Sequence, residues 1–165
     1  MAKSSYKKNL VQEPAREVWM DRELKGRQNP TMTFMSGDLV PGSNTYIEVG
    51  WIYQMPDPNP HILRHTHNYS EIVMHLGNDP ANPEDLGAEI DFGVGNETLK
   101  ITKTSAIYVP KGVPHGPLVW QKVKRPHIQM AIMLDCPGLK EADPGGHIKK
   151  AREKKYKIGP GNSEK

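Results

Sequence analysis

An all-β fold is predicted by three features of this sequence. Glycine and proline contribute 15 residues each, punctuation too dense for a helical bundle and suited to short strands joined by turns. The runs between these breaks are rich in β-branched and aromatic residues. Where they are long enough to show a period, the period is two: Ile90, Phe92 and Val94 share one face opposite Glu89 and Asp91. At 165 residues the chain is the size of one domain able to enclose a core without disulfide staples.

Taken in order, residues 1–30 are mostly polar and read as an N-terminal arm, with a short helix around 14–24 in which Val18, Trp19 and Met20 can pack. Residues 31–35 and 45–53 read as strands separated by the turn Pro41-Gly42-Ser43-Asn44. Pro56-Asp57-Pro58-Asn59-Pro60 forbids regular structure. It leads into a strand at 62–67, a tight connection at 68–70 and another strand at 71–76. Residues 77–87 hold two prolines and two glycines with little apolar content, so they form a loop, a candidate rim or lid. Gly95-Asn96 makes a hairpin turn before Leu99 and Ile101, and short strands follow at 107–109, 118–120 and 127–134. From Cys136 the chain turns polar and rich in lysine, a tail that buries too little apolar surface to offset its ordering entropy.

The charge pattern excludes several classes. The formal net charge of +3 comes largely from lysines near the two ends, whereas a nucleic-acid binder would set its cations on a folded face among aromatics. The single cysteine, Cys136, has no partner for an intramolecular disulfide, which fits a reducing compartment. No run approaches the roughly 18 apolar residues of a membrane span, and the N-terminus lacks the apolar core of a signal peptide. The expectation is a cytoplasmic protein with no membrane or nucleic-acid partner.

The chemistry lies in four residues. His65 and His67 are one residue apart, so a strand sends both imidazoles to one face. Glu71 opens the next strand after a short turn and brings a carboxylate alongside. His115, after the rigid turn Pro110-Lys111-Gly112-Val113-Pro114, can deliver a fourth ligand from across the fold. Two imidazoles and a carboxylate make the facial arrangement used for non-haem iron, and a third imidazole leaves about two octahedral positions open. Other histidines are read as ordinary structural residues. His75 is the least secure of these: it shares parity with Glu71 and Val73, so it can face the cavity and either support the ligands from behind or serve as an acid/base group. Tyr53 and Tyr108 are the further candidates for moving protons, packing being the plainer reading of aromatics on strands.

The run His65-Thr66-His67-Asn68-Tyr69-Ser70-Glu71 resembles the first motif of the cupin superfamily, and Pro110-Lys111-Gly112-Val113-Pro114-His115 resembles the second. The resemblance covers about 45–134. Asn59 stands where the pattern usually has glycine, Gly77 arrives one residue early, Thr104 replaces a glycine, and Val119 stands where asparagine is common. None of these removes a ligand, and they leave the subfamily open. The resemblance implies an antiparallel β-barrel or jelly roll over 31–135, flanked by the arm at 1–30 and the tail at 136–165. It also implies one divalent ion, Fe2+, Mn2+, Zn2+, Co2+ or Ni2+, held by His65, His67, Glu71 and His115. Three neutral imidazoles and one carboxylate leave such an ion near +1, a site that favours an enolate, hydroxy acid or phenolate. A dioxygenase leads lyase, hydrolase or isomerase chemistry, and a small-molecule sensor without turnover is the alternative of another class. Ile72, Met74 and Leu76 give one strand a second apolar face, for which a homodimer is the expected cover.

Overall fold

A computed structural model of the chain describes residues 6–16 and 24–142. The helix expected around 14–24 falls for the most part outside the described residues, as does the tail from 143. Nine strands occur among the described residues: β1 (Lys25–Arg27), β2 (Met32–Met35), β3 (Tyr46–Asp57), β4 (Ser70–Leu76), β5 (Asp85–Val94), β6 (Glu97–Lys103), β7 (Ser105–Val109), β8 (His115–Val123) and β9 (His127–Leu134). They form two antiparallel sheets. The larger runs β1-β3-β9-β4-β7, with β2 also on β3, and the smaller runs β6-β5-β8. This is a jelly-roll sandwich.

The sheets do not close into the expected barrel, and the reason lies at 62–67. That segment occupies the place of a fourth strand beside β8, yet it makes only two isolated bridges, Ile62↔Leu118 and His65↔His115. Between those bridges β8 carries Gly116 and Pro117. Proline has no N–H to donate, and a Cβ on Gly116 would stand 2.6 Å from the Leu63 carbonyl oxygen. The two chains therefore touch closely but cannot form a continuous ladder.

Alternation places the core. Along β4, Glu71, Val73 and His75 point inward and are buried, while Ile72, Met74 and Leu76 face out and are half-buried. On β5 and β8, Ile90, Phe92, Leu118 and Trp120 point at them from the opposite sheet and join Ile52 and Leu86 in the main core cluster. Each large side chain removed from water here contributes about 1.5–3 kcal/mol. A second cluster of Tyr46, Tyr69, Met133, Cys136, Leu139 and Ala142 closes one end of the sandwich. Packing thus reaches into both flanking segments: Ala15 bridges to Thr33, Leu24 is buried, and Leu139 and Ala142 are buried beyond β9.

Candidate metal centre

Backbone contacts at the gap between the sheets build the centre. His65 and His115 exchange both backbone hydrogen bonds, at 2.8 and 2.9 Å, and the His67 carbonyl accepts from Gly112 at 3.0 Å. The motif around His65 and the turn before His115 are thereby clamped together. Glu71 enters from the larger sheet as the second residue of β4, in register with Val109 and Met133. One ligand atom from each of His65, His67, Glu71 and His115 lies within 4.8 Å of all the others.

Each imidazole is aimed by its far nitrogen. His65 Nδ1 donates to the Leu63 carbonyl at 2.8 Å, His67 Nδ1 to the Tyr69 carbonyl at 2.8 Å, and His115 Nδ1 to the Val113 carbonyl at 2.9 Å. A carbonyl can only accept, so every Nδ1 carries the proton and every neutral ring presents its Nε2 lone pair. The Tyr69 ring stacks on His67, with centroids 3.8 Å apart and planes within 9°.

The lone pairs meet a carboxylate. Glu71 Oε2 is 3.1 Å from both His67 Nε2 and His115 Nε2, and the His115 nitrogen has no hydrogen bond of acceptable geometry despite that distance. Burial alone would raise the Glu71 pKa, but hydrogen bonds and positive charge from the His115 and His67 rings, where these take up a proton on Nε2, outweigh it and hold the carboxyl at about 2. Burial lowers the His65 pKa, so this ring is neutral at pH 7. For His115, burial also lowers the value, but Glu71 more than offsets it and the net direction is up. Lone pairs and a carboxylate converging at this range repel one another unless a proton or a cation lies between them. Three imidazoles with fixed tautomers and one ionised carboxylate fit a divalent ion of the zinc or iron type.

A cleft of about 750 Å³, counted to its open mouth, carries His65, Glu71 and His115 at one end and Val73, Phe92 and Leu118 along its walls. The far end is polar, with Arg27, Thr31, Glu48 and Gln129.

The three expected proton-transfer residues are not brought to the centre. His75 is fully buried but sits deeper in the sandwich, against Trp120 and His127, with ring centroids 6.0 and 5.9 Å away. Its parity was read correctly; its depth was not, because four residues along a strand are roughly 13 Å. Burial, and secondarily His127, press its pKa down to about 3. Tyr53 and Tyr108 are 51% and 57% exposed and line no part of the cleft. The Tyr108 hydroxyl lies 3.0 Å from Ser70 Oγ instead. Nor do residues 77–87 act as a rim here: none borders the cleft, since they follow the end of β4 remote from Glu71. Sequence reasoning missed Arg27 and Glu48 on β1 and β3 and Thr31 just before β2, none of which carries a motif.

No protein-family model matches the chain, and no curated protein does. Solved structures similar to it include an RmlC-like cupin from Shewanella frigidimarina, at 14% identity over 85% of this chain and 95% of that one, TM-score 0.47. A predicted oxalate decarboxylase from Thermotoga maritima is similar at 12% identity over 73% and 96%, TM-score 0.47. The polyketide cyclase RemF from Streptomyces resistomycificus is similar at 11% identity over 92% and 94%, TM-score 0.47.

Proposed function

We propose that this chain is a metal-dependent cupin enzyme acting on a small oxygenated organic molecule, an enolate, hydroxy acid or phenolate. Dioxygenase chemistry leads lyase, hydrolase and isomerase chemistry in this reading. The observation that carries it is the convergence of three backbone-anchored imidazoles and Glu71 on one point at the head of a cleft. A divalent ion there would supply Lewis-acid polarisation of a substrate oxygen and, if redox-active, access to dioxygen chemistry.

The protein's own residues do the rest. His65, His67 and His115 add no charge and Glu71 adds one negative charge, which leaves a net positive head that attracts anionic oxygen. Val73, Phe92 and Leu118 exclude water from the substrate body, which strengthens that attraction.

Elemental analysis of protein purified without added metal, followed by oxygen-uptake and depletion assays on diketones, hydroxy acids and phenols, tests the reading. One divalent ion per chain and turnover of at least one class are expected, with metal lost in His65→Ala and in His115→Ala. Full metal in either variant would remove that residue from the centre. Stoichiometric metal with ligand binding but no turnover would make the chain a sensor.

A homodimer and a cytoplasmic setting belong to the same reading. In the register of β4 and β9, Ile72, Met74 and Leu76 oppose Ile132, Met130 and Ile128, an outer apolar stripe that a second copy would cover. Light scattering should give twice the chain mass; a monomer would contradict it.

A further inference from the structure

The polar end of the cleft is built around a buried cation. Arg27 ends β1, and its side chain is only 8% exposed. It lies over the inner face of β3 at Gly50, where a Cβ would stand 3.0 Å from Thr31 Cγ2 and 3.4 Å from Arg27 Nη2. A side chain at that position would crowd Thr31 and touch the guanidinium at van der Waals distance. One edge of the group is fixed: Arg27 Nη1 donates to His61 Nε2 at 2.6 Å, and His61 in turn stacks on Trp120 at 5.0 Å. An imidazole that accepts from arginine is neutral, so it orients the charge without cancelling it.

Another edge of the group has an unsatisfied donor. Arg27 Nε is buried and has no hydrogen-bond partner, and the same holds for Thr31 Oγ1 and Gln129 Oε1, both on the wall of this cleft. Glu48 Oε1 forms an ion pair with Nη2 at 3.9 Å, longer than the 2.7–3.2 Å or so of a hydrogen bond, and leaves Nε open. Buried donors are normally paired, and a guanidinium offers a planar fork that a carboxylate matches.

We propose that Arg27, with Thr31 beside it, is a second anchoring point for the substrate, taking a terminal carboxylate while the opposite end of the same molecule is held at the His65, His67, Glu71 and His115 centre. This rests on the function proposed above and narrows its substrate class to organic acids that carry a carboxylate remote from the chelating oxygens. Between the two ends the wall is hydrocarbon, from Val73, Phe92 and Leu118, so the connecting part of the ligand is apolar. Arg27 is a positioning residue, acting on substrate orientation rather than at the reacting atoms.

A matched pair of probes separates the two ends. 2-Hydroxyadipate and 2-hydroxyhexanoate share a chelating head and a chain length and differ in the terminal carboxylate. Calorimetric titration of zinc-loaded protein should show 2-hydroxyadipate binding at least tenfold tighter. In Arg27→Gln that advantage should disappear, with 2-hydroxyhexanoate affinity and metal content unchanged, and Arg27→Lys should restore part of it. Gln129→Glu keeps shape and leaves Arg27 in place; the new negative charge should weaken 2-hydroxyadipate and spare 2-hydroxyhexanoate. Metal-free protein gives a readout independent of the centre: 2-hydroxyadipate, though weaker, should still shift the unfolding temperature of the wild type and not of Arg27→Gln. Equal affinity for the two probes in metal-loaded wild type, or an advantage that survives both Arg27→Gln and Gln129→Glu, would overturn the second anchor and leave the metal-centred reading intact. Failure to take up zinc with the metal-free shift retained would overturn the metal-centred reading and leave the anchor standing.

Discussion

Six of the histidines fall into two groups of three, and the groups differ in what their rings are tied to. His65, His67 and His115 each spend Nδ1 on a backbone carbonyl two residues away, and they turn Nε2 toward Glu71. His61, His75 and His127 gather around Trp120 in the depth of the sandwich: His61 stacks on the indole, His127 Nε2 accepts from its Nε1–H at 3.1 Å, and His75 meets it edge-on. The inner group is the more deeply buried, with all three rings at 0% exposure, yet its shared neighbour is an indole rather than a carboxylate. Burial does not bring histidines to a common point. An anchored far nitrogen and a shared carboxylate do.

The largest expected effect lies in the inner group. Trp120 is 1% exposed and is the common neighbour of three imidazoles. Trp120→Ala should cost about 3–5 kcal/mol of unfolding free energy in urea titration. A loss under about 1 kcal/mol would mean that the three rings do not depend on the indole.

Acid should separate the groups next. Burial lowers the His75 pKa to about 3 and the His127 pKa to about 4. Both values lie below the ordinary histidine value near 6.5, so the unfolded chain binds these protons first. Their contribution is complete above about pH 6.5 and is lost as pH falls toward 4 for His127 and toward 3 for His75. Each ring adds a slope of about 1.4 kcal/mol per pH unit in that window. In metal-free protein, His75→Leu should flatten the slope of stability between pH 6 and pH 4.5 by about that amount. An unchanged slope would show that His75 takes up its proton without unfolding.

How much of this was legible in the sequence follows from the range of each signal. The strands at 31–35, 45–53, 71–76 and 127–134 carry their own alternation and turns, and they appear as β2, β3, β4 and β9 within a few residues. The clustering of His65, His67, Glu71 and His115 was legible because spacing and parity are local. The segment at 62–67 was not, because its failure to form a strand is decided by Gly116 and Pro117, some 50 positions away. β1 was missed for a different reason: Lys25-Gly26-Arg27 reads as solvated surface, and only its pairing with β3 turns Arg27 into a cleft residue. His75 shows the limit of parity, which gives the face a side chain takes but not its depth along the strand.

The smallest effects are expected at the exposed tyrosines. Tyr53→Phe and Tyr108→Phe should each change stability by no more than about 0.5 kcal/mol and leave metal content and catalytic rate as they are. A loss of more than about tenfold in rate would return either hydroxyl to the chemistry.

The difference between the two groups is tested most directly by following the imidazole nitrogens of 15N-histidine-labelled protein by NMR during zinc titration at pH 7. Three rings, identified as His65, His67 and His115 by loss of their signals in the alanine variants, should shift at Nε2 and keep a protonated Nδ1, saturating at one zinc per chain, while His61, His75 and His127 stay in place. Binding through Nδ1, or a zinc-dependent shift in the inner group with none in the outer, would contradict the account.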